Sequence, residues 1–441
     1  MATMAPAAPA LHDAAPARWS AATRILFRFC LLYFGLYSLL TQIISSLVPL
    51  FIEQIPDLSA FWPVRPLVFW TAAHVFQVKT ELVYTASGSG DKTFDWVMAF
   101  CILVFSLVAA SVWSLVARKS PSHPQLYKWF RLLIRICLAG QMFAYGFAKA
   151  IPMQMPFPYL NRLVTPYGNF SPMGVLWSSI GSSPAYEIFA GCAELLGGIL
   201  LMIPRTALLG AMVCLADMTE VFALNMTYDV PVKLFSFHLI LMAVILLAPE
   251  LPRLAAVFAL NRPVGASAQP PLFASPRANR IAVVLQLLLL FWLVGANLYA
   301  GRNEWYTYGD GRPRSPLYGI WTVEQMTVDG QVRPPLLTDN DRWRRVVFDF
   351  VERAQFQRMD DTMASFSAAI NPAAQTLSLS KPSDKNWKAN FKFERPAQDQ
   401  LTLDGRMDSH QVHLQLHLVD RSKFMLVSRG FHWIQEYPFN R

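Results

Sequence analysis

Apolar residues fall into seven long runs, and past residue 300 the pattern changes to alternation of apolar with polar. The runs cover about 25–51, 95–117, 132–151, 184–203, 207–224, 232–248 and 281–300. Each is close to the roughly 20 residues a helix needs to cross ~30 Å of hydrocarbon. Between the first two, 55–92 mixes Pro63, Pro66, Trp62 and Trp70 with apolar positions, which predicts an interfacial helix rather than a further crossing. The loop 152–183 holds five prolines among Tyr159, Tyr167, Phe170 and Trp177, so no regular helix is expected there. That loop is either an aromatic belt or a lid, because it joins the spans that carry Lys149 and Glu187.

The alternation predicts half-buried antiparallel strands. It is clearest in 387–394 and 411–418, and Val346, Phe348 and Phe350 share a face, as do Leu377 and Leu379. With 319–329, 359–369, 400–406 and 424–433 these make about eight strands, enough for an up-and-down meander closed as a barrel. The expected architecture is an all-α membrane bundle of seven spans followed by an all-β domain, an eight-stranded antiparallel barrel. Along the chain this gives a disordered segment 1–17, two spans in 18–130, a four-helix unit in 131–250, an inner loop and seventh span in 251–300, and the β-domain in 301–441.

Composition sharpens this picture. Charged residues make up 15% of the chain and apolar residues 54%, which excludes an ordinary soluble domain. Of the formal net charge of +9, most lies before residue 301: residues 301–441 hold 19 basic and 17 acidic side chains. The basic excess therefore belongs to the membrane part, where it reads as orientation and not as nucleic-acid binding. Arg118, Lys119, Lys128, Arg205, Arg253, Arg262, Arg277 and Arg280 fall in loops of one side, so the N-terminus is expected inside and the β-domain outside the cytoplasm. The five cysteines all lie in the spans and form no CxxC pair, so neither a disulfide framework nor a thiol relay is expected.

The spans nevertheless carry ionisable groups, which are expensive in hydrocarbon and tend to face one another or a wet cavity. Glu194, Asp217 and His238 fall near mid-membrane. Tyr145, Lys149, Glu187, Glu220 and Lys233 lie nearer the outer boundary. Helical spacing puts Met142, Tyr145, Gly146 and Lys149 on one face, and Glu187, Gly191, Glu194 and Gly198 on another. This stratification predicts an outward-facing polar pocket: Glu194, Asp217 and His238 as proton-exchanging groups, and Tyr145, Lys149, Glu187, Glu220 and Lys233 as binding groups. The alternative for the outer residues is plain ion pairing at helix ends, Lys149 with Glu187 and Lys233 with Glu220. No metal site is expected. His413 and His417 are four strand residues and ~13 Å apart, too far to share one ion.

Two resemblances follow from these residues. Gly319-Ile320-Trp321 at the start of the first strand, a meander of eight and an arginine on the last strand, Arg429, resemble the lipocalin-type barrel, in which the tryptophan plugs the base and the arginine covers it. The bland alternative is a docking β-domain with a side-chain-filled interior. Arg135, Gly140, the run Tyr145–Lys149, the apolar run from Glu194 and an acid on the next span resemble the DoxX/DoxD-like family of bacterial membrane proteins over about 131–250. That resemblance implies a bacterial inner membrane, quinone as a cofactor and redox partner subunits. Two function classes remain open: a quinone-linked oxidoreductase subunit, with His238, Glu194 and Asp217 as proton donors, or a non-enzymatic proton-coupled transporter or membrane scaffold whose β-domain binds a lipid or protein partner.

Overall fold

A computed structural model describes residues 19–51, 58–118, 122–265 and 271–440; the segment 1–17 expected to be disordered lies outside them. Among the described residues seven helices are long and apolar enough to cross a membrane. They are α1 (Ala21–Leu40), α2 (Thr93–Val116), α3 (Pro124–Ala150), α4 (Pro184–Met202), α5 (Ala207–Thr227), α6 (Lys233–Leu247, which continues through Ala248–Glu250 and Leu251–Phe258 to make the span) and α7 (Pro276–Thr307). This multi-pass architecture is the one the hydropathy predicts. The chain divides into two compact units. The first holds the residues up to Tyr145 with Ala193–Asn297, and the second holds Gly146–Cys192 with the chain from Leu298 onward.

In the first unit, the run 25–51 is not one helix. α1 stops at Leu40, Thr41 is extended, and a short helix Gln42–Ser45 follows. The Thr41 hydroxyl donates to the Tyr37 carbonyl at 2.6 Å. From α3, the Gln141 amide donates to the carbonyls of Gln42 and Ile43 at 3.3 and 3.4 Å. Irregular backbone at membrane depth needs such partners, because there is no water to supply them. Between 55 and 92 the helix Val64–His74 is 11 residues long, too short to cross.

In the second unit, the end of α3 and the start of α4 touch backbone to backbone. A Cβ on Gly191 would lie 2.4 Å from the Ala150 nitrogen and 2.6 Å from the Gly146 carbonyl oxygen, so only glycine permits this approach. The loop 152–183 departs from expectation by containing helices at Leu160–Val164 and Pro172–Gly181. Pro172 opens the longer one, where a missing amide hydrogen costs nothing, and the Ser171 hydroxyl caps the Gly174 amide at 3.1 Å.

The rest of the second unit is the barrel: β1 (Arg314–Val328), β2 (Trp343–Phe350), β3 (Arg353–Arg358), β4 (Met363–Asn371), β5 (Thr376–Lys381), β6 (Asp384–Glu394), β7 (Gln400–Met407) and β8 (His410–Leu418). Each pairs antiparallel with the next, and β8 closes on β1. A two-residue strand, Gln331–Val332, folds back on the end of β1. Eight barrel strands were expected, but they are not the same eight. The expected strand at 424–433 is instead a short helix, Met425–Ser428, with its flanking turns. The eighth strand is β3, which offers a reader only Ala354 and Phe356 as inward apolar positions. In β1 the inward parity switches from odd, at Trp321 and Val323, to even, at Met326, because a register shift falls between Val323 and Gln325.

The barrel interior is packed with side chains, among them Trp321, Phe348, Phe391, Leu403 and Leu414. Trp321 is fully buried, and its indole N–H donates to the Leu317 carbonyl at 2.9 Å. The arginine over its ring is Arg395, 5.4 Å away, and not Arg429, which stacks on Phe439 at 3.9 Å. Beside this ring Gly319 has φ +148°, and a Cβ there would meet Leu418 at 2.4 Å.

The helix Leu160–Val164 lies on the outside of this barrel. Leu160, Ile320 and Val347 form a small core of their own. The Asp349 carboxylate accepts from the Leu160 amide at 2.9 Å and pairs with Arg312 at 2.5 Å, both side chains being less than a tenth exposed. Gln357 donates to the Val164 carbonyl at 2.9 Å. Replacing Asp349 by alanine takes from the buried Arg312 its close partner, leaving the more distant Asp310 at 3.8 Å, and from the Leu160 amide its acceptor, so a loss of about 3 kcal/mol is expected. Limited proteolysis of the purified chain should then cut between residues 152 and 171, whereas Asp360→Ala on the exposed turn should leave the cleavage pattern unchanged.

Candidate functional site

The two units divide the predicted site residues. Tyr145, Glu194, Asp217, Glu220, Lys233 and His238 belong to the first, and Lys149 and Glu187 to the second.

In the first unit the centre is His238 on α6. Its ring lies parallel to that of Tyr37, 3.8 Å between centroids, with Tyr33 at 5.7 Å and Phe34 at 6.3 Å. Nδ1 lies 2.7 Å from the Leu234 carbonyl, and Nε2 lies 2.8 Å from the Tyr33 hydroxyl. A carbonyl only accepts, so Nδ1 carries the hydrogen, and the neutral ring accepts at Nε2 from Tyr33. Both nitrogens are thus engaged within a buried aromatic stack. Tyr33 and Tyr37, four apart on α1, are the residues the sequence reading missed; their i, i+4 spacing on an apolar helix is the signal that marks them.

Tyr145 receives a hydrogen bond from the Gln42 amide at 2.9 Å, which ties α3 to the break after α1. Glu194 is buried, Asp217 half-buried and Glu220 exposed. Lys233 is committed to the start of α6. Its ammonium pairs with Asp229 at 2.9 Å and reaches Asp91 at 3.8 Å. Asp91 in turn accepts from the amides of Lys233 and Leu234 at 2.8 and 2.9 Å, an acidic cap where the helix dipole favours one.

In the second unit Glu187 is fully buried and accepts from the Met155 amide at 2.8 Å, holding the chain where it leaves α3. Lys149 is also buried and acts on Glu187 electrostatically.

The barrel is open at the end remote from Arg314, where it holds a cavity of about 650 Å³. This is within the usual size of a small-molecule site. Its wall carries a continuous aromatic ladder: Trp343 stacks on Phe356 at 3.9 Å, Phe356 meets Phe366 at 4.6 Å, and Phe366 meets Trp387 at 4.8 Å. The rim is charged with both signs. Arg333 pairs with Asp339 at 3.3 Å and Asp329 with His410 at 2.6 Å, while Arg358, Lys381, Asp341 and Asp408 also line it. The hydrogen bonds from His410 and from the Gln411 amide hold the Asp329 carboxyl below its ordinary value. Below the rim Arg342 is buried, which lowers its pKa, and its guanidinium donates to the carbonyls of Arg333 at 3.1 Å and Val323 at 3.2 Å. Each strand histidine faces its own aspartate: His413 pairs with Asp404 and His417 lies 3.8 Å from Asp399.

Tyr33→Phe removes the donor to a buried imidazole nitrogen, so a loss of about 1–3 kcal/mol is expected in thermal unfolding of the purified chain. In a His238→Phe background the same change should cost less than half as much. Equal costs in both backgrounds would assign the effect to packing.

No family model matches the chain, so the DoxX/DoxD-like and lipocalin-like resemblances gain no support from that comparison. No solved structure matches it. One curated relative is the "Uncharacterized protein YwoB" of Bacillus subtilis (strain 168), 32% identical over 124 residues, which is 28% of this chain and 79% of that protein. Through this partial match the chain belongs with the uncharacterised YwoB protein, a kinship that brings neither a named family nor an assigned function.

Proposed function

We propose that this multi-pass protein is a membrane-anchored binding protein, a scaffold whose barrel takes a small amphipathic ligand at its mouth. The observation that carries the reading is the mouth cavity itself, aromatic along one wall and charged at its rim. A flat apolar group stacks on Trp343, Phe356, Phe366 and Trp387, and its polar head meets Arg358 or Lys381. The filled interior limits the ligand to one seated at the mouth. The bundle then serves as the anchor, in a bacterial inner membrane with the barrel outside the cytoplasm, in keeping with the basic loops of the opposite side.

A second reading is the quinone-linked oxidoreductase subunit that the DoxX-like motifs imply, working with redox partner subunits. What favours it is the hydrogen-bonded run from Tyr33 through His238 in the bundle core, with Glu194 and Asp217 in the same unit. Tyr33 and His238 would pass a proton, and a quinone would supply the redox chemistry.

One extraction separates the two. Small molecules released from the detergent-purified chain are identified by mass spectrometry, for the natural sequence and for Ala364→Trp, which fills the cavity, and for His238→Gln. The binding-protein reading expects a stoichiometric ligand that Ala364→Trp reduces at least about tenfold, a loss of ~1.4 kcal/mol or more in binding, and that His238→Gln leaves in place. A quinone lost with His238→Gln and kept by Ala364→Trp would reverse the order of the two readings.

A further inference from the structure

A second cavity, of about 290 Å³, lies in the first unit at the opening turns of α3. Lys128, Arg131 and Arg135 line it from α3, at spacings of three and four residues, so all three sit on one helical face. The remaining walls come from the start of α5, the end of α6 and the start of α7, with Leu132, Leu208, Leu246 and Val283 as the apolar lining. Like charges so placed repel one another and disfavour the helix that carries them. Among the described residues no carboxylate lines the cavity. The cations rest instead on neutral acceptors: Lys128 on the Pro271 carbonyl at 2.7 Å, Arg131 on the Leu246 carbonyl at 3.2 Å, and Arg135 on the Gln286 amide oxygen. The Arg135 Nε has no hydrogen-bond partner among the described residues. Glu250, the acid after the end of α6, is outside the lining: it pairs with Arg253 and acts electrostatically on Tyr127 of the cavity wall.

We infer that this cavity is a binding site for the phosphate headgroup of an anionic phospholipid. Three cations in a lining that has no carboxylate among the described residues supply the charge and the donors a phosphodiester needs, and guanidinium groups suit its oxygens. Val283 lines the cavity and is exposed on α7, so the same molecule that offers phosphate to the arginines offers acyl chains to Leu208 and Val283. Basic pockets between membrane helices recognise lipid headgroups in this way. The site is distinct from the barrel mouth and is independent of what the mouth binds.

The test is the melting temperature of the delipidated full chain in neutral detergent, titrated with phosphatidylglycerol, phosphatidylcholine or inorganic phosphate. Saturable stabilisation by phosphatidylglycerol alone is expected. Its half-saturating concentration should rise about fivefold for each cation replaced in Lys128→Gln, Arg131→Gln and Arg135→Gln. Arg262→Gln, a cation outside the cavity, should leave it unchanged. Because Arg135 is deeply set and its variant is at risk of misfolding, Lys128→Gln at the half-exposed end is sufficient for the comparison. Equal stabilisation by the two lipids, or phosphatidylglycerol selectivity that survives Lys128→Gln and Arg131→Gln, would overturn the proposal. Stabilisation by inorganic phosphate equal to that by phosphatidylglycerol would overturn the lipid assignment in favour of a soluble anion.

Discussion

At several breaks in the regular backbone of this chain, a side chain takes up the stranded amide or carbonyl. The constraint is strict because an unpaired backbone group away from water costs as much as a lost hydrogen bond, and more in hydrocarbon. Gln141 serves the break after α1, Asp91 the first amides of α6, and Glu187 the exit from α3. In the second unit Asp349 and Gln357 hold the two ends of the helix Leu160–Val164, and Arg342 holds the carbonyls below the barrel rim. Polar residues that look like chemistry in an apolar sequence are thus, in several places, the price of a kink or a loop.

The same constraint locates where ligands can enter. His238 has both nitrogens engaged, and the barrel interior is closed by Trp321, Phe348 and their neighbours. Space and charged side chains come together at the ends of the elements instead. At the barrel mouth the aromatic ladder runs out into a charged rim. At the start of α3 three cations line a cavity, and the hydrogen-bond acceptors they meet there among the described residues are neutral. The first combines stacking with polar recognition, and the second combines charge with apolar walls, so the two suit different molecules.

Much of this fold is legible in the order of apolar and polar residues. Seven helices were read from seven runs because a bilayer imposes a minimum length, and the barrel from alternation because its interior is apolar. The misreadings have local causes. α1 carries no proline or glycine at Thr41 to announce its break, and the evidence for the break sits a hundred residues away at Gln141. Strand β3 is short and marked only by Ala354 and Phe356. The segment 424–433 has the composition of a strand without a neighbour to pair with, since β8 already closes on β1. The site was less legible: ionisable residues at similar depth can be listed from sequence, but Asp91, which accepts from the Lys233 and Leu234 amides, lies in a polar loop. Tyr33 and Tyr37 are uncharged and were passed over.

Ligand occupancy at the barrel mouth is the central claim, and hydrogen exchange tests it most directly. Amide exchange would be followed on the full chain extracted with its native lipids and small molecules, and again after exhaustive stripping in detergent. The expected result is faster exchange after stripping at 328–343, 381–387 and 407–410, the segments around the mouth, with the helix Leu160–Val164 unchanged. Identical exchange at the mouth before and after stripping, with changes confined to the spans, would contradict it.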